Sequence, residues 1–287
     1  MRKGRLFLLT SAIIYGLVPV LANQVYKSGS DGVTLVFLRS ILSLPLLLFI
    51  IWKRKIGFKL SKKELKDSII VSCFGNAPAM VLLYAAYSIG SVGVSSMLHF
   101  CYPFIIVIVM ALLFKERLSR RKWLGVAAAA FGVLLSLDMK TDTVSAVLAV
   151  LSGAFYAFFV IYMDRSGIDK MNYWRLTFFI SAGMSVAAFL MCITGDGVKL
   201  PYTISGWISA FAVSLLTTLI AIPLFQRGVE IEGAAEAGII SMAEPVVSIL
   251  SGVLVFGEKV TVAGGIGCAL IAVGIWLVES NAKRRRS

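Results

Sequence analysis

The sequence predicts an all-α polytopic membrane protein of ten transmembrane helices, built as two five-helix repeats of inverted topology. Three observations lead to this prediction. The 287-residue chain is 59% hydrophobic and 15% charged, whereas a soluble domain is about half apolar and about a quarter charged. Its basic residues collect on one side of the predicted helices. The spacing of residues in its first half recurs in its second half.

Ten apolar runs, bounded by charged residues, Gly or Pro, are each close to the about 20 residues that a helix needs to cross a bilayer. Several connections are short, so neighbouring helices are expected to run antiparallel. The first run follows a basic N-terminus as a signal peptide does, but its length and its place in the repeat favour a retained helix. The predicted spans are 6–26, 33–53, 68–90, 93–114, 120–138, 144–163, 172–194, 204–227, 235–256 and 260–279.

The basic residues predict the orientation of the helices. If the N-terminus is cytoplasmic and the helices alternate, 22 of the 28 Lys and Arg residues fall in cytoplasmic segments and 4 in outer loops. This bias is the positive-inside pattern, and it predicts two cytoplasmic termini in a cell (inner) membrane. The basic tail at 280–287 needs no partner beyond anionic lipid headgroups. Nucleic acid is not an expected partner, because the charge lies in short loops between apolar runs.

Other function classes lack their motifs. The chain has four cysteines, all in apolar runs, and one histidine, without zinc-ligand spacing; neither a metal nor a cofactor is expected. There is no P-loop, which argues against direct use of ATP. There is also no nucleophile–base pair and no HExxH helix, so an enzyme is not expected.

An internal repeat appears when the chain is compared with itself at a shift of 142 residues. Five matches in one register indicate a duplicated unit, predicted to span 1–138 and 144–279. Because five helices is an odd number, the second unit enters the membrane from the opposite side, as in many secondary transporters. The matched pairs are Pro103 with Pro245, Phe114 with Phe256, Glu116 with Glu258, Gly125 with Gly267 and Gly132 with Gly274.

These motifs resemble the EamA family of the drug/metabolite transporter superfamily over essentially the whole chain. The resemblance rests on the proline, the Phe-x-Glu step and the glycine-rich last helix of each half, with Arg39 in helix 2 and residues 83–87 in helix 3. It implies a ten-helix carrier whose relatives move amino acids, other small metabolites or drugs. One departure is that Tyr102 stands in the first half where Glu244 stands in the second. His99 matches no feature of the family.

Glu244 is the central candidate for function. At about 1.5 Å per residue it lies roughly 13 Å into its helix, near the middle of the bilayer. A charged carboxylate facing lipid there costs at least a few kcal/mol, so it is expected to face protein or a water-filled cavity, or to be protonated. The alternative is a structural hydrogen bond in a helix kinked at Pro245.

Other polar residues near the middle of their spans are expected to wall the same cavity. The alternative is that they form hydrogen bonds between helices. His99 could carry a proton or be buried and neutral, and Arg39 could bind a carboxylate or, as the preferred interpretation, pair with an acid. The predicted cavity residues are Glu244, His99, Tyr102, Asn76, Thr218, Tyr15, Tyr156 and Ser241.

The sequence therefore predicts a secondary transporter that works by alternating access and draws on a proton or solute gradient. The resemblance to the EamA family implies that it exports amino acids or related small metabolites. A flippase of lipid-linked or amphiphilic substrates, a multidrug exporter and a passive channel are the alternatives. A monomer is compatible with the sequence, which does not determine the substrate, the oligomeric state or the direction of transport.

Overall fold

The computed structural model describes residues 3–90, 92–116, 119–135, 142–256 and 262–284. These residues form helices and their connections, without a strand among them. Among the described residues, eight helical segments are long and apolar enough to cross a membrane, so the chain is a multi-pass membrane protein. The α-helices are α1 Lys3–Lys27, α2 Gly32–Ile41, α3 Ser43–Lys53, α4 Lys62–Ile69, α5 Ala77–Ile89, α6 Val92–His99, α7 Tyr102–Leu112, α8 Arg120–Leu135, α9 Thr143–Ser166, α10 Tyr173–Thr194, α11 Ile204–Ser214, α12 Ile222–Glu232, α13 Ala234–Ser241, α14 Ala243–Phe256 and α15 Val262–Arg284.

Helices lie at all ten places where the sequence predicts a span. The fifth and tenth predicted spans correspond to α8 and α15, which are not among the eight long spans. Both helices border residues outside the described ranges, where Glu258 and the predicted end of the first unit at 138 also fall. The count of ten membrane crossings and the unit boundaries at 138 and 144 therefore remain predictions.

Several helix boundaries differ from the prediction, and two of the differences have a clear local cause. The helix expected to begin at 68 begins at Lys62, because Ser61 and Glu64 form a reciprocal capping box with N–O distances of 3.1 and 2.8 Å. The helix expected to end at 227 continues to Glu232. It stops at Gly233, whose φ of 85° lies in the region that favours glycine.

Three of the spans consist of two helices in sequence, namely α2–α3, α6–α7 and α13–α14. The second helix of each pair has a proline in its first turn: Pro45, Pro103 and Pro245. Proline lacks an N–H group and clashes with the preceding turn, so a regular helix cannot run through it. The breaks therefore place new helix N-termini inside the spans.

Two other spans contain a π-helical turn, at Ile70–Asn76 and Leu215–Ala221. Each turn is followed by a proline at the second position of the next helix, Pro78 and Pro223. The π-turn rearranges the backbone hydrogen bonds that the proline would otherwise leave unpaired. These prolines are 145 residues apart in the sequence, whereas the repeat has a shift of 142. Residues of the two π-turns therefore do not correspond at the 142-residue shift.

The two halves of the chain pack into each other. Helix α1, from the first half, packs mainly against α11, α12, α13 and α14 of the second half. Helix α9, from the second half, packs against α5, α6 and α7 of the first half. The largest hydrophobic core contains buried residues from both halves. The surface between the halves is therefore extensive and runs through the interior of the protein.

Helices α8 and α15 cross at reciprocal glycine contacts. A Cβ atom at Gly132 would lie 2.5 Å from the carbonyl oxygen of Gly267, and one at Gly274 would lie 2.5 Å from that of Gly125. These are the four glycines that coincide in pairs at the 142-residue shift. Small residues allow helix backbones to approach this closely in a membrane.

Gly132→Ala is expected to destabilise the protein. The same change in an open helix would favour folding by about 0.5–1 kcal/mol, but here overpacking costs about 1–3 kcal/mol. The thermal unfolding midpoint in detergent should fall. Gly57→Ala is the control, because a Cβ there meets nothing within 4 Å. An unchanged or higher midpoint for Gly132→Ala would contradict the close crossing.

Candidate functional site

A cavity of about 160 Å³ lies between the two halves of the chain. Its wall is formed by residues of α1, α2, α5, α6, α7, α9, α12 and α14, together with the last residue of the first π-turn. The wall contains seven of the nine residues that the sequence analysis singled out. These seven are Tyr15, Arg39, Asn76, His99, Tyr102, Tyr156 and Glu244.

A hydrogen bond between the two halves lies in this wall. The hydroxyl of Tyr102 donates to Oε1 of Glu244 at 3.1 Å. Tyr102 is the first residue of α7 and Glu244 is the second residue of α14, so both lie at the N-terminus of a broken helix. The partial positive charge of a helix N-terminus stabilises a nearby carboxylate. The helix breaks therefore place an acid in the membrane interior where the backbone favours it.

His99 belongs to an aromatic cluster beside this bond. Its ring centroid lies 5.4 Å from that of Tyr102 and 5.5 Å from that of Tyr156, and the two tyrosine rings are 4.7 Å apart. Nδ1 of His99 makes a 2.6 Å hydrogen bond with Oγ of Ser152. The histidine is therefore buried with one ring nitrogen bonded, and it forms part of the cavity wall.

Two predicted residues lie outside the cavity wall. Ser241 is buried and does not line the cavity. Thr218 is buried in the second π-turn and does not line the cavity. A shift of 142 residues would pair Asn76 with Thr218, but the prolines that follow the two π-turns are 145 residues apart. At a shift of 145 residues Asn76 corresponds to Ala221, which is one turn beyond Thr218.

Arg39 lines the cavity without the acidic partner that the sequence analysis preferred. In the part of the chain that the structure describes, no carboxylate lies within 4.0 Å of its guanidinium. Among the described residues, its side chain makes one hydrogen bond, from Nη2 to Sδ of Met184 at 3.6 Å, and its Nε is buried without a hydrogen-bond partner.

Tyr84 is a cavity residue that the sequence analysis did not select. It lines both the central cavity and a second cavity of about 420 Å³, which we call the vestibule. A periodicity argument could have found it, because Asn76, Met80, Leu83 and Tyr84 are spaced as one face of a helix. All four line the central cavity.

The vestibule lies at the face of the molecule opposite the start of α1. Lys199 reaches Asp196 at 2.8 Å and Asp31, from the first half, at 3.5 Å. The hydrogen bond with Lys199 lowers the pKa of Asp196, and the same bond raises the pKa of Lys199. These groups are exposed, so the ion pairs contribute little to stability.

More ion pairs join the halves at the face where α1 begins, the N-terminal face. Oε1 of Glu236 accepts from Arg5 Nη2 and Lys122 Nζ, both at 3.0 Å, and Oε2 of Glu232 lies 3.5 Å from Arg5 Nε. We call these four residues the N-terminal cluster; its two bases come from the first half and its two acids from the second. Two further ion pairs cross between the halves at this face, Glu64 with Arg175 and Glu116 with Arg165.

Comparison with known proteins identifies the family. The model of the EamA-like transporter family matches residues 2–137 and again residues 143–280. The chain belongs to the EamA-like transporter family. EamA-type proteins form part of the drug/metabolite transporter superfamily.

Similar proteins carry transporter names without a solute. An uncharacterized transporter of Archaeoglobus fulgidus is 26% identical over 277 residues, which cover 96% of each chain. The uncharacterized transporter YcbK of Bacillus subtilis is 24% identical over 300 residues, covering 99% of this chain and 93% of YcbK. A crystal structure shares the fold with a TM-score of 0.83 at 16% identity, over 99% of both chains.

An EamA-like transporter is a membrane protein that moves small molecules across the bilayer. Membership of a transporter family is consistent with the expectation that the chain is not an enzyme. Neither the family description nor the names of these relatives states which solute is carried. The solute has to be argued from the cavity itself.

Proposed function

We propose that this EamA-like protein is a secondary transporter that exports amino acids or related small metabolites by alternating access through the central cavity. The observation that carries the proposal is the Tyr102–Glu244 hydrogen bond in the cavity wall, which joins two broken helices from opposite halves. Broken helices with N-termini facing a cavity between repeats are the usual site of solute binding in secondary transporters. Glu244 is the proposed centre of the binding site.

The proposed architecture is two inverted units of five helices each. Three observations support it: the family model matches the chain twice, α1 and α9 each pack into the other half, and the glycine contacts between α8 and α15 are reciprocal. Alternating access then corresponds to rocking of one unit against the other around the cavity.

The proposed orientation places the N-terminal face in the cytoplasm, following the positive-inside pattern. The ion pairs at that face, including the N-terminal cluster, would hold the halves together on the cytoplasmic side. The vestibule would open to the outside and lead past Tyr84 to the cavity. The described conformation therefore suits exchange with the outer solution.

The size of the cavity favours a small solute over the alternatives. Sites for drug-sized ligands are about 300–1,000 Å³, whereas this cavity is about 160 Å³. A multidrug exporter or a flippase of lipid-linked groups would need a larger or laterally open cavity.

Counterflow in proteoliposomes tests the proposed function. Vesicles are preloaded with single unlabelled amino acids, amines, organic acids or nucleosides, and uptake of the labelled counterpart is measured. Saturable exchange of one chemical class establishes a carrier, whereas flux without saturation or counterflow indicates a channel.

A pH-sensitive dye inside the vesicles then shows whether solute movement is accompanied by protons. Protein that is folded but exchanges no compound of the panel would contradict the proposal.

Tyr84→Ala is expected to open the passage between the vestibule and the cavity. A single reporter, Ser248→Cys, is placed in the cavity wall of a protein whose native cysteines are replaced by serine. Removing the Tyr84 ring should speed its labelling severalfold by a membrane-impermeant maleimide added at the vestibule side. Tyr26→Ala is the matched control, since Tyr26 lines the vestibule but not the cavity. Equal labelling rates in the reporter protein, its Tyr84→Ala variant and its Tyr26→Ala variant would show that Tyr84 does not limit access to the cavity.

A further inference from the structure

We infer that Arg39 is a solute-binding residue and that it selects solutes carrying a carboxylate group. The inference rests on the proposed function of the central cavity and adds a residue role to it. It starts from the unused hydrogen-bonding capacity of this side chain, which is 8% exposed as a residue and lines the cavity.

A guanidinium group has five N–H donors in a planar fork and stays charged in proteins. Among the described residues, Arg39 uses one of them, and the acceptor is the thioether of Met184, a weak acceptor. Buried polar groups are normally hydrogen-bonded, and buried charges are normally paired. A carboxylate in the cavity would supply the missing partner, because it accepts two parallel bonds from one guanidinium.

The fold explains how Arg39 tolerates burial without an acidic partner among the described residues. It lies in the last turn of α2, which ends at Ile41. The C-terminal end of a helix carries partial negative charge and stabilises a nearby cation. This interaction leaves the N–H donors of the guanidinium available for a ligand.

Acceptor groups occur elsewhere in the same cavity wall. Glu244 is an acid, and Oδ1 of Asn76 is buried without a hydrogen-bond partner among the described residues. No ion pair joins Arg39 with Glu244 in that part of the chain, although both residues line the cavity. The cavity thus offers one group for an anion and separate groups for a hydrogen-bond donor or a cation.

The rest of the wall is mostly apolar and includes Val18, Met80, Leu83 and Ile222. Such a wall suits an aliphatic body between the polar ends of a solute. The charges and the apolar wall together describe a small solute with a carboxylate at the Arg39 end and a donor at the Glu244 end.

The test uses four compounds that share one aliphatic body: leucine, leucinamide, 3-methylbutylamine and 4-methylpentanoate. Counterflow is measured for the wild type, Arg39→Gln, Arg39→Lys and the control Arg227→Gln, whose arginine pairs with Glu230 in the same helix. Arg39→Gln should raise the half-saturating concentration of leucine about 10- to 100-fold, as expected for lost hydrogen bonds to a charged group. It should change that of leucinamide and the amine little, so the preference for the carboxylate disappears.

Arg39→Lys should recover part of the preference, because lysine restores the charge but not the planar fork. If Arg39 only stabilised the fold, all four compounds would be affected equally. Wild-type protein that exchanges the amine or the amide as well as leucine would overturn the inference and leave the transporter proposal intact.

A binding assay separates failure of the inference from failure of the proposed function. Thermal unfolding in detergent is followed with each of the four compounds for the wild type and Arg39→Gln. If no compound is exchanged, carboxylate-dependent stabilisation of the wild type that Arg39→Gln lacks would still support the inference. Absence of such stabilisation would overturn the inference.

If Arg39→Gln does not fold, the wild type and Arg39→Lys are compared with the same four compounds. A carboxylate preference in the wild type that is reduced in Arg39→Lys would support the inference, and an equal preference would overturn it.

Discussion

Glu244→Gln is expected to abolish measurable solute counterflow in a protein that still folds. Glutamine has the shape of glutamate and can still accept the hydrogen bond from Tyr102, so the packing around α14 should survive. The negative charge is lost, and with it the ability to exchange a proton. A hydrogen bond to a charged group contributes about 1.5–3 kcal/mol, so solute binding alone should weaken about 10- to 100-fold.

Tyr102→Phe distinguishes the effect of the Glu244 charge from that of the hydrogen bond that Glu244 accepts from Tyr102. This variant keeps the carboxylate and removes its donor, and counterflow should fall less than in Glu244→Gln. Glu230→Gln is the matched control, because Glu230 pairs with Arg227 in the same helix and lies outside the cavity. Wild-type counterflow by folded Glu244→Gln would remove this residue from the mechanism and leave it a structural role between α7 and α14.

The second large effect is expected at the N-terminal cluster. Glu236→Gln removes the acceptor that Arg5 and Lys122 share. Because the Arg5 side chain is only 7% exposed, its charge is left buried with less compensation. Breaking a buried ion pair by removing one partner costs about 3–5 kcal/mol. The thermal unfolding midpoint in detergent should fall clearly.

The same variant should loosen the contact between the halves. Maleimide labelling of the Ser248→Cys reporter from the N-terminal face should be slow in the wild type and faster in Glu236→Gln. The triple variant Arg5→Met with Glu232→Gln and Glu236→Gln should lose less stability than Glu236→Gln alone, because it removes Arg5 together with both acids that pair with it, and removing every partner of a buried ion cluster is often nearly neutral. A single variant as stable as the wild type, with unchanged labelling, would show that the cluster does not hold this face closed.

Much of the fold follows from the order of residues along the chain. The composition and the spacing of apolar runs identify a membrane protein, because bilayer thickness fixes how long each run must be. The prolines predict where helices break, and Pro245 places the break directly at Glu244. The central acid and its partner Tyr102 were therefore both predictable from the spacing of the repeat.

Other features of the cavity depend on rotation and contact. One 142-residue shift could not place both Asn76 and Thr218, because the π-turns before Pro78 and Pro223 have a register of 145. Each residue added to a helix turns its side chains by about 100°. Three additional residues therefore turn a side chain by almost a full helical turn. The side chain keeps nearly the same face of the helix but lies at a different depth in the membrane.

The sequence by itself determined the membrane class, the repeated glycines and prolines, and an acid at mid-span. The tertiary structure alone decided that Arg39 faces the cavity without an ion pair to any described acid, that Tyr84 lines both the cavity and the vestibule, and that Glu236 pairs with bases of the other half. The physical reason is that periodicity fixes depth along a helix axis and the spacing of a face, but not which helix that face meets. That choice depends on how the two halves of the chain pack together.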